Sequence, residues 1–131
     1  MKKIIMVLMI TLLLTGCSAK RIKDEQDNKV KEYLTKEELK EVMSNNDYII
    51  VDVRTPLEYK EKHVVDAINI PYGEVTNDVS LFKNKIVLLY CKSGKRANMA
   101  YESLYALGYT VYNLGGIEDI DLPMETASTT K

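Results

Sequence analysis

The chain alternates between short apolar runs and longer polar stretches that carry helix signals. Three runs rich in β-branched residues are too short for helices, and they predict strands at residues 48–53, 86–90 and 110–113. A briefer strand is predicted at residues 67–70, where a proline follows. The run at 86–90 is apolar throughout, which is typical of a strand buried on both faces. Strands that alternate with helices predict an α/β fold with a parallel sheet.

Helix signals lie between these strands. Two threonine–glutamate pairs have the three-residue spacing of a helix capping box: Thr35 with Glu38, and Thr55 with Glu58. The first pair predicts a helix over residues 36–44, and the second predicts a short helix that ends near residue 62. A third helix is predicted to begin at Ala97 and to end before Gly108, which has the position of a C-terminal cap.

The N-terminus has the order of a secretory signal. Lys2 and Lys3 precede an apolar stretch at residues 4–14, and small residues follow before Cys17. The apolar stretch is too short to span a bilayer as a helix. Residues 1–16 are therefore predicted to be removed and not to belong to the fold.

Residues 14–17, Leu-Thr-Gly-Cys, resemble the lipobox of bacterial lipoproteins. The resemblance implies cleavage before Cys17 and attachment of a diacylglyceryl group to its sulfur. It also implies an extracytoplasmic protein that is held to a bacterial membrane by its lipid. An ordinary signal peptide cleaved nearby is the alternative.

Composition divides the remaining chain into three parts. Residues 17–30 comprise the lipidated cysteine and a charged stretch with too little apolar surface to fold, which predicts a flexible tether. The folded domain is predicted at residues 31–124. The small polar residues at 125–131 are predicted to form a frayed tail.

Charge and cysteine content limit the classes of function. The formal net charge is −1, and loss of Lys2 and Lys3 with the signal leaves 16 basic and 19 acidic side chains, so no nucleic-acid partner is expected. With Cys17 lipidated, Cys91 has no partner for an intramolecular disulfide. One histidine and one free cysteine cannot form a zinc site, so neither a metal nor a cofactor is expected.

Cys91 follows the apolar run at 86–90 and begins a short loop that leads into the third predicted helix. The loop contains a serine, a glycine and three cations: Lys92, Ser93, Gly94, Lys95 and Arg96. A loop between a strand and a helix directs backbone N–H groups and a positive dipole end toward whatever it encloses. These groups and the cations favour thiolate over thiol, so Cys91 is predicted to be a nucleophile. A buried structural cysteine at a strand end is the alternative.

Over about residues 33–123, the chain resembles the rhodanese-like domain family. The resemblance rests on six segments in the family's order: VDVR at 51–54, EY at 58–59, HV at 63–64, AINIP at 67–71, YCKSGKRA at 90–97 and LGGI at 114–117. It implies a single domain with a five-stranded parallel sheet flanked by helices on both faces, and a cysteine that carries sulfur as a persulfide. The loop from Cys91 to Arg96 has the six residues of the sulfurtransferases, whereas related phosphatases have one residue more.

The sequence departs from the family pattern at two places. Lys62, Val65 and Asp66 stand where the family usually has glycine, proline and glycine, so this turn is expected to be built differently. The aromatic residue expected soon after Gly115 and Gly116 is missing, so the C-terminal segment is expected to pack more loosely.

The loop residues are assigned separate roles. The backbone N–H groups of residues 92–96 are expected to hold the outer, partly anionic sulfur of a persulfide. Lys92 and Lys95 are interpreted as attracting an anionic sulfur donor such as thiosulfate, or alternatively as surface lysines without a role. Arg96 is expected to fix the loop rather than to contact the substrate.

Three charged residues outside the loop are expected to support it: Asp52, Arg54 and Glu58. Arg54 and Glu58 are four residues apart around a helix cap and are predicted to form an ion pair. Asp52 is given a structural role, and direct participation of Arg54 or Asp52 in catalysis is the less favoured alternative. His63 is predicted to be a packed or capping residue rather than a base.

The preferred interpretation is a monomeric, membrane-anchored sulfurtransferase. It would move a sulfane sulfur from thiosulfate or a persulfide, through Cys91, to a thiol or cyanide-type acceptor. A second hypothesis is a lipid-tethered binding module without turnover, and a third is phosphatase or arsenate-reductase chemistry at the same cysteine. The loop length disfavours a phosphatase, and the lack of a second thiol disfavours a disulfide-forming reductase.

Overall fold

The computed structural model of the protein describes residues 32–126. Helices and strands alternate along this part of the chain. The helices are α1 (Lys36–Asn45), α2 (Pro56–Glu61) and α3 (Lys95–Ala106). The strands are β1 (Tyr48–Asp52), β2 (His63–Val64), β3 (Ile68–Asn69), β4 (Ile86–Cys91), β5 (Val111–Gly116) and β6 (Met124–Glu125). Short 3₁₀ turns lie at Tyr72–Glu74, Ser80–Phe82 and Ile117–Asp119.

A parallel sheet of four strands, in the order β3–β1–β4–β5, forms the centre of the domain. The predicted α/β class with a parallel sheet is confirmed, but the family resemblance implied five strands. The fifth strand is reduced to one parallel bridge between Tyr33 and Asn113 of β5. It is this short because the chain turns into α1 at once: Thr35 is already the N-cap, and its side chain accepts a hydrogen bond from the N–H of Glu38.

Helices pack on both faces of the sheet. The buried cluster on the α3 face contains Val51, Val53, Leu89, Cys91, Ala97, Ala100 and Leu104. The buried cluster on the α1 face contains Leu39, Val42, Ile50, Leu88, Tyr90 and Tyr112. Successive strand residues point to opposite faces, so Cys91 lies on the α3 face and Tyr90 lies on the α1 face.

The predicted helix ends are largely confirmed. Thr35 and Thr55 each close a capping box with the glutamate three residues later. α3 begins at Lys95, two residues before its predicted start, because the first two positions are cationic and add nothing to the apolar pattern. Gly108 follows the end of α3 with φ 90°, and its N–H bonds back to a carbonyl of the last turn.

A small antiparallel pair of strands, β2 and β6, ties the C-terminal segment to the domain. The predicted start of a frayed tail at residue 125 is therefore wrong, because Glu125 pairs with His63 and hydrogen bonds to its ring. Ile120 and Leu122 pack against the α1-face cluster, so aliphatic side chains hold the segment where an aromatic one was expected. Residues 127–131 lie outside the described part.

The turn between β2 and β3 has an unusual residue at its tightest point. Asp66 has φ 67°, and the N–H of Ala67 bonds to the carbonyl of Val64. Glycine is the usual residue in this left-handed region, but aspartate tolerates it better than most. The turn therefore takes a glycine-like conformation with aspartate in the place of glycine.

The N-terminal predictions concern residues that the structure does not describe. The signal at 1–16 and the whole tether at 17–30, with Cys17, fall in this region. Between residues 32 and 126, no helix is long and apolar enough to cross a membrane.

Candidate active site

Cys91 is the last residue of β4, and its side chain is fully buried on the α3 face. The backbone N–H of Gly94 donates a hydrogen bond to its Sγ, with 2.9 Å between N and S. Gly94 is the N-cap of α3 and has φ 92°, so the sulfur lies at the positive end of that helix. The structure thus brings together the thiol, a donor and a helix N-terminus, as predicted from the strand–loop–helix pattern.

The other side chains of the loop differ in how exposed they are. The side chains of Lys92, Ser93 and Lys95 are exposed, whereas Arg96 is partly buried. The loop therefore presents two lysine ammonium groups to solvent above a recessed sulfur. The thiol lies below the surface of the loop rather than projecting from it.

Two glycines of β5 leave room for the loop. A Cβ on Gly116 would lie 2.5 Å from the carbonyl oxygen of Lys92, and a Cβ on Gly94 would lie 3.4 Å from the Cα of Gly115. Gly115 has φ 87°, an angle that favours glycine. Gly116 has φ −88°, so at this position glycine is required for space rather than for its backbone angles.

Arg96 holds α3 to α2 through Glu58. Its two terminal nitrogens donate to the two carboxylate oxygens, Nη1 to Oε1 at 2.7 Å and Nη2 to Oε2 at 3.0 Å. The bonds from Arg96 are the main cause that lowers the pKa of Glu58 to about 2. The same pair raises the pKa of Arg96. The expectation that Arg96 fixes the loop agrees with this contact.

The predicted ion pair between Arg54 and Glu58 is wrong. Arg54 instead bonds to Asp52, with Nε to Oδ1 at 3.0 Å and Nη2 to Oδ2 at 2.8 Å, and Nη2 also donates to the carbonyl of Lys62. Arg54 precedes the N-cap Thr55, so the four-residue spacing to Glu58 is not a helical spacing. The side chain turns back toward the strand end rather than forward along the helix.

Asp52 and Arg54 form a buried pair beside the active loop, residues 91–96, rather than in it. Burial acts to lower the pKa of Arg54, but the hydrogen bonds and charge of Asp52 outweigh it and raise that pKa. The guanidinium lies 5.8 Å from the ring centre of Tyr90, on the α1 face. The pair therefore stabilises the strand ends next to Cys91 and does not face its sulfur.

His63 has the packed, capping role predicted for it. Its ring stacks on Tyr59 with 3.8 Å between ring centres, and Nδ1 lies 2.8 Å from the carbonyl oxygen of Tyr59, near the end of α2. Nε2 lies 3.1 Å from Oε1 of Glu125. The imidazole joins α2 to β6, and the contacts that hold it are structural ones.

Asn113 is a site residue that the sequence reasoning missed. Its side chain is fully buried on the α3 face, where Nδ2 donates to the carbonyl of Gly94 at 3.1 Å and Oδ1 accepts from the N–H of Gly115 at 2.8 Å. The available signal was a lone amide in the apolar run VYNL directly before two glycines. A buried polar side chain at such a place needs hydrogen-bond partners, and the nearest ones belong to the loop.

The segment that leads into the domain lies beside Asn113. The carbonyl of Glu32 accepts a hydrogen bond from the backbone N–H of Asn113 at 2.9 Å, and the hydroxyl of Tyr33 lies 3.5 Å from Nδ2 of the same residue. Burial raises the pKa of Tyr33, and the charges of Glu32 and Cys91 act in the same direction. The phenol of Tyr33 is therefore close enough to Cys91 for the two groups to interact electrostatically.

Cys91 is the candidate nucleophile of the site, and the described residues around it show no metal-binding group. Among residues 32–126, no group of three or more histidine, cysteine or carboxylate side chains is placed to hold a metal ion. A cavity of about 530 Å³ lies at the opposite end of the sheet, lined by residues such as Asp47, Lys85 and Thr110, so it is remote from Cys91. The arrangement suits attack by a thiolate on a small electrophile at the loop.

Comparison with known proteins gives two family matches. A model of the rhodanese-like domain matches residues 35–121, and a model of the prokaryotic membrane lipoprotein lipid attachment site matches residues 1–18. The thiosulfate sulfurtransferase PspE of Escherichia coli (strain K12) is 43% identical over 77 residues, which are 56% of this chain and 74% of that protein. Further curated relatives are matched over between 19% and 67% of their own lengths.

Solved structures give the same result. A rhodanese with anions from E. coli has 38% sequence identity and a TM-score of 0.55, and the match covers 60% of this chain and 98% of that one. A rhodanese-like domain protein from Staphylococcus aureus has 30% identity and a TM-score of 0.61, covering 72% of this chain and 97% of that one.

Proposed function

Because the chain belongs to the rhodanese-like domain family and carries a lipoprotein lipid attachment site, we propose that it is a membrane-anchored, extracytoplasmic sulfurtransferase with Cys91 as its nucleophile. The observation that carries the proposal is the hydrogen bond from the N–H of Gly94 to Sγ of Cys91 at the N-terminus of α3. Such a donor stabilises the thiolate, which is the reactive form. The relative from E. coli, named a thiosulfate sulfurtransferase, supports the same reaction class.

In the first half-reaction, the Cys91 thiolate attacks the sulfane sulfur of the donor. With thiosulfate, a bond forms between Sγ and the outer sulfur, the bond between the two sulfurs of thiosulfate breaks, and sulfite leaves with the electron pair. The enzyme is left with a persulfide on Cys91. We expect the loop N–H groups to stabilise its anionic outer sulfur, as donors in an oxyanion hole stabilise oxygen.

In the second half-reaction, a thiolate or cyanide attacks the outer sulfur. The new bond forms as the bond from that sulfur to Sγ breaks, and Cys91 returns to the thiolate. The N–H of Gly94 then stabilises Cys91 as the leaving group, so one hydrogen bond serves both steps. No metal or redox partner is needed, because sulfur moves between nucleophiles without net electron transfer.

The surroundings of the sulfur suit small anionic donors. Lys92 and Lys95 are exposed at the loop and attract an anion at long range, with an effect that falls beyond a Debye length of about 8 Å at physiological salt. The recessed thiol favours a donor small enough to enter the loop. The similar solved structure from E. coli is described as a rhodanese with anions, which supports an anionic donor.

Intact-mass spectrometry tests the proposal directly. The full chain and a Cys91→Ser variant are treated with thiosulfate under non-reducing conditions and then with cyanide. We expect the first treatment to add one sulfur atom to the wild type only, and the second to remove it with release of thiocyanate. Serine retains the size of the side chain, so it is the matched control.

Each alternative gives a different outcome. An unchanged wild-type mass without turnover would support a binding module and contradict a sulfurtransferase. Cys91-dependent hydrolysis of an aryl phosphate, without persulfide formation, would instead indicate phosphatase chemistry. Equal sulfur gain in the Cys91→Ser variant would remove Cys91 from the mechanism.

A further inference from the structure

The active loop depends on two glycines that touch each other. Gly94 and Gly115 both have positive φ, 92° and 87°, and a Cβ on Gly94 would lie 3.4 Å from the Cα of Gly115. Glycine adopts such angles without strain, but it also adopts many others. Some other group must therefore select this one conformation if the N–H of Gly94 is to stay directed at the sulfur.

Asn113 bonds to both glycines with the two polar atoms of its side chain. Nδ2 donates to the carbonyl of Gly94, and Oδ1 accepts from the N–H of Gly115. Because the Gly94 carbonyl can only accept and the Gly115 N–H can only donate, a single orientation of the amide satisfies both. The side chain is fully buried, so water does not compete for these bonds.

The sheet register explains why Asn113 can reach the loop. It is paired with Leu89 of β4, so its side chain is on the same face as that of Leu89 and, two residues on, that of Cys91. The carbonyl of Gly94 that it holds belongs to the residue whose N–H donates to Sγ. With the Gly94 carbonyl held and both backbone angles of Gly94 set, φ at 92° and ψ at −13°, the direction of its N–H is determined.

We propose that Asn113 is a positioning residue for the nucleophile, because it clamps Gly94 and Gly115 in the conformation that directs the Gly94 N–H at Sγ of Cys91. The proposal rests on the proposed function, since it concerns the same thiolate. Without the clamp, the loop is free to take other glycine conformations, and the thiolate loses its donor. Small misplacement of this kind costs on the order of 10- to 100-fold in rate.

Asn113→Asp removes the Nδ2 donor to the Gly94 carbonyl and keeps the acceptor for Gly115. The aspartate has the same shape and still accepts from the N–H of Gly115, but its second oxygen faces the Gly94 carbonyl, and two acceptors repel each other. Asn98→Asp is the matched control, because it adds the same charge in the first turns of α3 outside the clamp. Asn113→Ser, which is smaller and uncharged, serves if the aspartate variant does not fold.

The readout is kcat and KM for thiosulfate, measured per folded molecule, with urea unfolding alongside. We expect kcat to fall roughly tenfold or more in the Asn113 variants, with a smaller change in KM because Lys92 and Lys95 remain. Asn98→Asp should retain wild-type kcat. A purely structural role would lower the urea midpoint and leave kcat of the folded enzyme unchanged, and this result would overturn the proposal.

Two other results distinguish the clamp from an effect of added charge and from a failure of the proposed function. If Asn98→Asp lowers kcat as much as Asn113→Asp, added charge is the cause and the clamp is rejected. If the wild type forms no persulfide at all, the proposed function fails. If the wild type is active and the Asn113 variants have the same kcat, only the role of Asn113 is rejected.

Discussion

At the residue level, the active loop is shaped by the absence of side chains on β5. The carbonyl oxygen of Lys92 occupies the space where a Cβ on Gly116 would be, at 2.5 Å. Gly116 itself has φ −88° and ψ 146°, angles that alanine adopts freely. The glycine is therefore required for packing against the loop and not for backbone freedom.

Gly116→Ala should damage the loop without straining its own backbone. The added methyl must displace residue 92, next to the nucleophile, and overpacking of this kind costs about 1–3 kcal/mol. We expect a lower urea midpoint and a reduced yield of persulfide on Cys91 by mass spectrometry. Gly73→Ala is the control, because no atom lies within 4 Å of its new Cβ. Wild-type stability and yield in Gly116→Ala would show that the loop does not depend on this contact.

The local sequence pattern could predict those residues whose place in the loop depends on neighbours in the chain. Cys91 and Gly94 were predicted because a strand, a short glycine loop and a helix follow one another directly. Asn113 was missed because its partner Gly94 is 19 residues away in the chain. That contact depends on the pairing of β4 with β5, which the local pattern does not specify.

At the level of elements, α2 and α3 are joined by a pair of charged side chains at their N-terminal ends. Glu58 is the third residue of α2, where it closes the capping box with Thr55 and also receives both bonds from Arg96. One carboxylate thus starts α2 and ties down the first turn of α3. The first turn of α3 in turn carries the N–H groups of the active loop.

Glu58→Gln separates these two roles. Glutamine at this position still completes a capping box, but it cannot form the ion pair. We expect a loss of about 1 kcal/mol in the free energy of unfolding at neutral pH. Glu37→Gln is the control, because Glu37 is also in the first turn of its helix and its side chain is exposed.

The pH dependence of this loss has a definite sign. The folded state lowers the pKa of Glu58 from 4.5 to about 2. The stabilisation is therefore fully present above the ordinary pKa and is lost as the pH falls from 4.5 toward 2. Urea unfolding across this window should show wild type and Glu58→Gln converging, and a difference that stays constant with pH would contradict the ion pair.

At the level of the whole molecule, the C-terminal segment closes the α1 face through β6. Met124 packs against the α1-face cluster, and Glu125 bonds to His63, which is 4% exposed. The fold class was predictable from the alternation of strands and helices. The β2–β6 pair was not, since each strand has two residues and gives no periodic signal.

Truncation at two points tests the contribution of β6. A chain that ends at Pro123 loses the cover over the α1 face and the partner of His63, so we expect a loss of about 1–3 kcal/mol in stability. A chain that ends at Thr126 retains both and is the matched control. Thermal unfolding should show a lower Tm for the first chain and a wild-type Tm for the second. Equal Tm values would show that β6 adds nothing to the fold.

The point at which the leading segment joins the domain limits where sulfur can be delivered. Glu32 and Tyr33 lie against Asn113, and fifteen residue steps separate Glu32 from Cys17, a length that spans at most about 50 Å when fully extended. For the proposed sulfurtransferase anchored at Cys17, this length sets how far from the bilayer Cys91 could work. It also sets the effective concentration at which acceptors in the same membrane would meet Cys91. On the proposed function, we therefore expect membrane-bound acceptors to be favoured over freely diffusing ones.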